Sequence, residues 1–78
     1  MTEKNFNLQR LKLERLSRNV SAKKLGEALG ISANAYHKKE SGMSNITVEE
    51  LAIILETLDI PKRNAGIFFI HNVPDWEQ

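Results

Sequence analysis

The sequence predicts an all-α protein: a single domain over residues 1–78, built as a compact bundle of four to five helices. Apolar residues recur at the three- and four-residue spacing of helix faces, and Ser, Thr or Asn precedes several of these segments where an N-cap belongs. The chain has no cysteine, so packing must hold the helices together without a disulfide or a thiolate-bound metal. The core is expected over residues 7–60, and residues 61–78 are expected to form a short C-terminal helix or tail.

The first helix is expected over residues 7–18. Its apolar residues at helical spacing are Leu8, Leu11 and, as a further candidate, Leu16. Either Asn5 or Asn7 can cap its start, and Asn19 can adopt the left-handed conformation that ends a helix.

The second helix is expected over residues 22–29, after the N-cap Ser21. Its buried stripe is expected to consist of Leu25, Ala28 and Leu29. Gly30 follows the last apolar residue, where a glycine accommodates the left-handed backbone at a helix end. We expect Ile31 to point back into the core.

The third helix is expected over residues 33–40, only two residues further on, with Ser32 as its N-cap. Tyr36 is its only large apolar side chain. A helix this polar docks through a narrow seam and leaves most of its surface free.

A turn is expected at residues 41–45, which have the composition of a loop. After it, Thr47 and Glu50 have the spacing of a capping box, and Ile46 and Leu51 that of a hydrophobic staple. These residues predict the start of a fourth helix.

The fourth helix is expected over residues 48–58 and is the most apolar of the four. Its core face is expected to comprise Val48, Leu51, Ala52, Ile54, Leu55 and Leu58. Pro61 either ends the fourth helix or begins a fifth short helix that runs through residues 66–70.

The net charge of +1 conceals an asymmetry between the two halves of the chain. Residues 1–40 carry nine basic and four acidic side chains, a net charge of +5, whereas residues 41–78 carry two basic and six acidic ones, a net charge of −4. A basic half is compatible with a surface that faces a polyanion, although charge imbalance of this size also occurs in proteins that bind no nucleic acid.

Three segments in register carry a family resemblance: Val20-Ser21-Ala22-Lys23-Lys24-Leu25-Gly26-Glu27-Ala28-Leu29-Gly30-Ile31-Ser32, Glu40-Ser41-Gly42, and Thr47-Val48-Glu49-Glu50-Leu51 to Leu58-Asp59-Ile60. With them, residues 11–60 resemble the helix-turn-helix domain of the phage repressor and Cro superfamily, also called the XRE family. The resemblance implies a lambda-repressor-like bundle that binds double-stranded DNA in a sequence-specific way. It implies a small transcriptional regulator of the repressor type, with its recognition helix, residues 33–40, in the major groove.

The resemblance implies five base-facing positions: Ser32, Ala33, Asn34, His37 and Lys38. Asn34 is the best candidate for direct readout, because its amide can donate to and accept from an adenine together. Ala33 could pack on a thymine methyl group, and Lys38 could reach a guanine or a phosphate. His37 is expected at the wall of the groove.

The positions that the resemblance implies for phosphate contact are Ser21, Ala22, Lys23, Met43, Ser44 and Asn45, with Arg10 or Lys12 as further candidates. The first group lies at a helix N-terminus, where unpaired N–H groups and the helix dipole attract phosphate. Many family members have glutamine where this chain has Ala22, and Lys23 can substitute for it only imperfectly.

Arg15 and Glu40 occupy positions where family members join the first helix to the end of the third by an ion pair. Lys39 stands where the family usually has an aliphatic residue, so its stem is expected to cover the core while its ammonium reaches water. Gly26 replaces the usual alanine at the helix crossing, and the bulkier Tyr36 could fill the space that it leaves.

Catalysis is not expected, because His37 and His71 are the only histidines and neither is paired with a nucleophile or a cluster of ligands. No cofactor, metal or small-molecule site is evident. No apolar run is long enough to span a membrane and residues 1–10 lack the apolar region of a signal peptide, so we expect a cytoplasmic protein.

The alternative is a protein interaction module, such as an antitoxin-like or anti-repressor partner. Ile53 stands where the family often has lysine, and residues 66–70 together with Trp76 are more apolar than a four-helix core needs. The C-terminal segment could complete the core alone, or could also form a two-fold homodimer. A homodimer would set two recognition helices about 34 Å apart on an inverted-repeat operator.

Overall fold

Five helices dominate residues 6–69, the part of the chain that the computed structural model describes. They are α1 (Leu8–Ser17), α2 (Ala22–Leu29), α3 (Ala33–Glu40), α4 (Val48–Thr57) and a 3₁₀ helix (Lys62–Phe69). No strand occurs in this range. The all-α prediction and the order of the helices are confirmed.

Each of the four α-helices begins at a side-chain cap. Asn7, Ser21, Ser32 and Thr47 have extended backbones, and the side chain of each accepts a hydrogen bond from the N–H three residues further on. Thr47 forms the expected capping box with Glu50, whose Oε1 accepts from the Thr47 N–H at 2.9 Å. The alternative cap Asn5 lies outside the described residues.

A residue with positive φ follows each of the four α-helices, and at α3 that residue is Gly42, with φ 91°. Asn19 follows α1 with φ 57°, Gly30 follows α2 with φ 78°, and Asp59 follows α4 with φ 62°. Asn19 and Gly30 were predicted, and Asp59 was not. Asparagine and aspartate tolerate this conformation better than most residues with a Cβ atom, because their short side chains can hydrogen-bond locally.

The core lies where the five helices meet. Its fully buried side chains are Leu11, Leu25, Tyr36, Ile54, Leu58 and Phe68, with Ala22, Leu55 and Ile60 nearly so. Helix α2 packs against both α3 and α4, and the 3₁₀ helix packs against α1 and α4. The short helices therefore share one continuous apolar interior.

The 3₁₀ helix contributes a stacked aromatic pair to this core. Phe68 is fully buried and stacks on Phe6 with ring centroids 5.7 Å apart, while the Asn7 N–H donates to the Phe68 carbonyl. Phe69 meets Phe6 edge-on and stays half exposed. The helix after Pro61 thus completes the core, and it ends at Phe69 within the described range. The predicted extension to residue 70, and Trp76, lie outside that range.

Three apolar residues predicted to be buried are not. Ala28 is exposed because the inward face of α2 runs through Ala22, Leu25, Gly26 and Leu29, and Ala28 lies more than a quarter-turn from the centre of that face. Val48 is 82% exposed at the first position of α4. Leu16 is 52% exposed, because Leu11 and Arg15 define the inner face of α1.

Within residues 6–69, no helix combines the length and the apolar character that crossing a lipid bilayer requires.

Candidate nucleic-acid interface

A tight turn of three residues, Gly30, Ile31 and Ser32, joins α2 to α3. The Ile31 N–H donates to the Gly26 carbonyl at 2.8 Å, which closes the end of α2. Ser32 then caps α3 by accepting from the Ala35 N–H at 3.0 Å. Backbone hydrogen bonds and one side-chain cap therefore hold the turn between α2 and α3.

Gly26 is required by the backbone of this turn. A Cβ atom at Gly26 would lie 2.8 Å from the Ile31 carbonyl oxygen and 2.9 Å from the Ser32 oxygen, closer than real Cβ atoms approach. The sequence suggested that Tyr36 fills the space left by this glycine. Tyr36 is fully buried, but the atoms nearest to Gly26 belong to the turn.

A buried cluster of three polar side chains, Arg15, Tyr36 and Glu40, fixes the inner face of α3. Arg15 Nε and Nη2 donate to the two carboxylate oxygens of Glu40 at 2.9 and 3.1 Å, in the two-pronged geometry that arginine favours. The Tyr36 hydroxyl donates to Glu40 Oε2 at 2.7 Å. Arg15 Nη1 also donates to the Val20 carbonyl at 3.0 Å, so the cluster joins α1, the α1–α2 turn and α3. We call these three residues the α3 anchor.

Opposing effects set the charges of the α3 anchor. Burial alone would raise the pKa of the Glu40 carboxyl, but the hydrogen bonds from Arg15 and Tyr36 outweigh burial and hold that pKa below its ordinary value. The Glu40 carboxylate raises the pKa of Arg15. Burial, and then Glu40, raise the pKa of Tyr36, so its hydroxyl remains a donor. The anchor is a charged pair with a neutral phenol attached.

Beside the anchor, α3 turns a second face toward solvent. This α3 outer face consists of the five residues expected at base edges: Ser32, Ala33, Asn34, His37 and Lys38. All are exposed except Ala33, which is half-buried. The side chains of Asn34, His37 and Lys38 form no hydrogen bond with any residue in the described range. The structure thus brings the five together on one surface, with polar groups available to a ligand.

The loop between α3 and α4, residues 41–47, is bonded to the last turn of α3 through the Lys38 carbonyl. Lys39 Nζ donates to the Asn45 carbonyl at 2.9 Å and lies 3.1 Å from Glu50 Oε1, and its side chain is only 13% exposed. The Lys39 ammonium thus also binds two oxygens of the protein, through an exposed hydrogen bond to Asn45 and an ion pair with Glu50, which the sequence did not predict. Met43, Ser44 and Asn45 are exposed along the loop. We refer to residues 41–47 as the α3–α4 loop.

Comparison with protein families agrees with this geometry. The helix-turn-helix family model matches residues 11–63, about two thirds of the chain, and covers most of α1 and all of α2 to α4. The chain belongs to the XRE-type helix-turn-helix family. It is accordingly a helix-turn-helix DNA-binding regulator, of a family that is typically non-enzymatic. No curated protein and no solved structure shows a significant match to it.

The start of α2 holds the other residues that this helix-turn-helix protein could direct at phosphate. Ser21 and Lys23 are exposed, whereas the Ala22 methyl group is buried, so Ala22 can offer only its backbone N–H. The Ser21 hydroxyl already accepts from the Lys24 N–H at 3.0 Å. Among the residues named at this terminus, Lys23 supplies the free charge.

Arg10, a further phosphate candidate, is engaged within α1. Its Nε lies 2.7 Å from Glu14 Oε2, and Arg18 binds the other oxygen of the same carboxylate. The hydrogen bond from Arg10 is the main cause that lowers the pKa of Glu14. Lys12 is exposed and, like Lys23, has no bonded partner among residues 6–69.

Sequence reasoning missed two members of this site. The sequence pattern marks Tyr36 as an apolar contact, whereas its hydroxyl also bonds Glu40, four residues further along the helix, a spacing that places the two side chains side by side. The contact of Lys39 with Glu50 joins two helices, and no local pattern indicates it. Among residues 6–69, no group of three His, Asp or Glu side chains is placed to hold a metal ion.

Proposed function

We propose that this chain is a repressor-type transcriptional regulator that binds double-stranded DNA in a sequence-specific way, with α3 in the major groove. The observation that carries the proposal is the division of α3 into two faces. Tyr36 and Glu40 are buried and bonded on one face, whereas Asn34, His37 and Lys38 are exposed and unbonded within the described range on the other. A rigidly held helix with free polar groups is suited to reading base edges.

On the α3 outer face, each side chain offers a different contact. Asn34 can bind an adenine through both atoms of its amide, and Ala33 can pack on a thymine methyl group. Lys38 can reach a guanine or a phosphate. Ser32, whose oxygen already accepts from Ala35, still has a hydroxyl proton to donate, and His37 lies further along the exposed face.

Phosphate contacts on either side of α3 would fix its register in the groove. The candidates are Ser21, Lys23 and the Ala22 N–H at the start of α2, and Met43, Ser44 and Asn45 in the α3–α4 loop. Neutral groups of this kind position a protein without reading sequence. Lys23 adds the charge that makes binding sensitive to salt.

We further propose that the protein binds an inverted repeat as a homodimer, because one α3 of eight residues reads only a few base pairs. The half-exposed Phe69 at the end of the 3₁₀ helix is a candidate contact between the two copies. Two-fold symmetry would then set the two α3 helices about 34 Å apart, one turn of DNA.

Selection from a random pool of DNA duplexes, followed by titration of the selected duplex over a range of salt concentrations, tests this function. We expect enrichment of a short inverted repeat and a steep fall in affinity with salt. Absence of an enriched sequence, together with affinity that is insensitive to salt, would contradict the proposal. That result would favour the protein interaction module instead.

A further inference from the structure

Lys39 belongs to α3, but its side chain binds elements that follow α3. The ammonium donates to the Asn45 carbonyl at 2.9 Å and lies 3.1 Å from the Glu50 carboxylate at the start of α4. We propose that Lys39 is a positioning residue for DNA binding: it holds the α3–α4 loop in the conformation that presents Ser44 and Asn45 to phosphate, and it neutralises Glu50 beside that loop. The proposal rests on the proposed function and assigns a role within it.

The hydrogen bonds of the α3–α4 loop show which of its residues depends on Lys39. The first half of the loop is held by the Lys38 carbonyl, which accepts from the Met43 N–H at 2.9 Å and from the Ser44 N–H at 3.2 Å. Asn45 has no hydrogen bond within the described residues except the one from Lys39. Removal of the ammonium therefore removes the one hydrogen bond that holds Asn45, between the first half of the loop and the capping box.

The ammonium also steadies the beginning of α4. Glu50 Oε1 accepts from the Thr47 N–H at 2.9 Å and is the same oxygen that faces Lys39 Nζ. Lys39, the capping box and the loop end thus form one hydrogen-bonded unit. Without the ammonium, Glu50 keeps its capping-box hydrogen bonds with Thr47 but no longer faces a positive charge.

Electrostatics give Lys39 a second effect. The Glu50 side chain is 24% exposed next to the α3–α4 loop. Burial favours the neutral form of its carboxyl, but the hydrogen bonds from the Thr47 N–H and from Lys39 outweigh burial, so the pKa of Glu50 stays below its ordinary value. An unpaired carboxylate at this position would repel the phosphates that the loop is proposed to contact. The Lys39 ammonium cancels that charge.

Lys39 is not itself placed as a phosphate ligand. Its side chain is 13% exposed and its ammonium is bound by two protein oxygens, whereas the neighbouring Lys38 is exposed and unbonded within residues 6–69. Its influence on DNA binding therefore passes through the loop and through Glu50.

The variant Lys39→Met tests the positioning role, because methionine retains an unbranched apolar stem and removes the ammonium. Lys62→Met, at an exposed lysine of the 3₁₀ helix, removes the same charge elsewhere and serves as the matched control. In the free protein, we expect hydrogen exchange at the Thr47 amide to accelerate about three- to tenfold in Lys39→Met, as after loss of one hydrogen bond, and to be unchanged in Lys62→Met. Equal exchange in the two variants would overturn the proposal.

Binding to DNA gives the second measurement. We expect Lys39→Met to weaken binding of the selected duplex and of an unrelated duplex by the same factor, about three- to tenfold relative to Lys62→Met, because phosphate contacts carry no sequence information. The salt slopes of the two variants should agree. A slope for Lys39→Met that is smaller by about one would make Lys39 a direct phosphate ligand and would overturn the positioning role.

Glu50→Gln separates the two effects. Combined with Lys39→Met, it removes the uncompensated carboxylate, and we expect it to recover part of the lost affinity, whereas no recovery would overturn the charge effect.

If Lys39→Met does not fold, Glu50→Gln alone replaces it in the exchange experiment, with the same expectation at a smaller magnitude. If the unmodified protein binds no DNA, the proposed function fails, whereas the exchange data still decide whether Lys39 orders the loop.

Discussion

At the scale of single residues, the α3 anchor is the most informative feature. Arg15 and Glu40 are more than nine-tenths buried, and burial makes the loss of either partner costly because the other charge is left without compensation. The pair also joins α1 to the end of the helix that carries the outer face. Its integrity therefore affects both stability and the direction of α3.

We expect Arg15→Ala to lower the free energy of unfolding by about 3–5 kcal/mol, since it leaves a buried carboxylate without its cation. For a domain of this size, that loss lowers the thermal midpoint by more than roughly 10 °C. Arg18→Ala is the matched control, because Arg18 forms a partly exposed ion pair on the same helix, a kind of pair worth about 0–1 kcal/mol. Thermal unfolding with equal midpoints for the two variants would show that the buried pair adds nothing.

The pKa of Glu40 predicts a dependence of stability on pH. Because this pKa is lower in the folded than in the unfolded state, the stabilisation from Glu40 is present above the ordinary glutamate value of about 4.3 and is lost as the pH falls through the lower, folded value. Glu40→Gln should be less stable than the unmodified protein at pH 7, and the difference should shrink below about pH 4.

Urea unfolding of both proteins between pH 7 and pH 3 measures this difference. Glu14 and Glu50, whose carboxyl pKa values are also lowered, are present in both proteins, so their contributions cancel. A difference that stays constant over the whole range would mean that Glu40 titrates normally in the folded protein.

Asn34 is the residue at which sequence readout is expected. Asn34→Ala should reduce discrimination at one base position by about 1–3 kcal/mol and leave binding to unrelated DNA almost unchanged. Lys23→Ala should instead weaken binding to all sequences alike and reduce the salt slope by about one. Competition binding with single-base variants of the selected site distinguishes the two, and a uniform loss for Asn34→Ala would place Asn34 among the phosphate contacts.

At the scale of the element, the helix-turn-helix unit depends on the absence of a side chain at Gly26. Glycine inside a helix costs up to about 1 kcal/mol relative to alanine, so a purely local view favours Gly26→Ala. The oxygens of Ile31 and Ser32 lie where the new methyl group would stand, and as backbone atoms of the turn they cannot move away alone. Tertiary geometry and helix propensity thus have opposite effects at this residue.

We expect Gly26→Ala to lower the free energy of unfolding by about 1–3 kcal/mol, the usual range for overpacking. Gly66→Ala is the control, because no heavy atom lies within 4 Å of its Cβ position and its φ is not positive. That change should fall within about 0.5 kcal/mol of zero. Denaturant unfolding of both variants decides the matter, and a Gly26→Ala protein as stable as the original would refute the steric argument.

At the scale of the whole molecule, the C-terminal 3₁₀ helix closes the core. Phe68 is fully buried against Phe6, so a chain cut at Ile60 would lose part of its interior together with any dimer contact. Substitution of Phe68 or of Phe69 separates core packing from dimer contact better than truncation does, because Phe68 is buried and Phe69 is half exposed.

Phe68→Ala should lower the free energy of unfolding by about 3–5 kcal/mol, the range for large aromatic side chains removed from a core. Phe69→Ala should cost only about 0.5–1.5 kcal/mol, since its main contact is one edge-on ring pair. Urea unfolding at a single low protein concentration compares the two. A loss for Phe68→Ala as small as the one expected for Phe69→Ala would mean that the 3₁₀ helix is not part of the cooperative core.

The sequence by itself determined the helices and their limits. Asn7, Ser21, Ser32 and Thr47 cap the helices that they were expected to cap, and Gly30 forms the tight turn, because caps and left-handed residues act through hydrogen bonds and sterics within a few residues. The spacing of the apolar residues also predicted the burial of Leu11, Leu25, Ile54 and Leu55 within their helices. The segments that resemble the family contain three of these caps and the same turn glycine.

Only the tertiary structure decided which side chains meet across elements. Val48 is apolar but exposed, and Lys39 is charged but bound to protein oxygens. At Gly26, a neighbouring turn leaves no room for a methyl group. Each outcome depends on how neighbouring helices, turns and loops are arranged in space, which helix periodicity alone does not contain. The helix-turn-helix unit was therefore determined locally, and the support around its outer face was determined by packing.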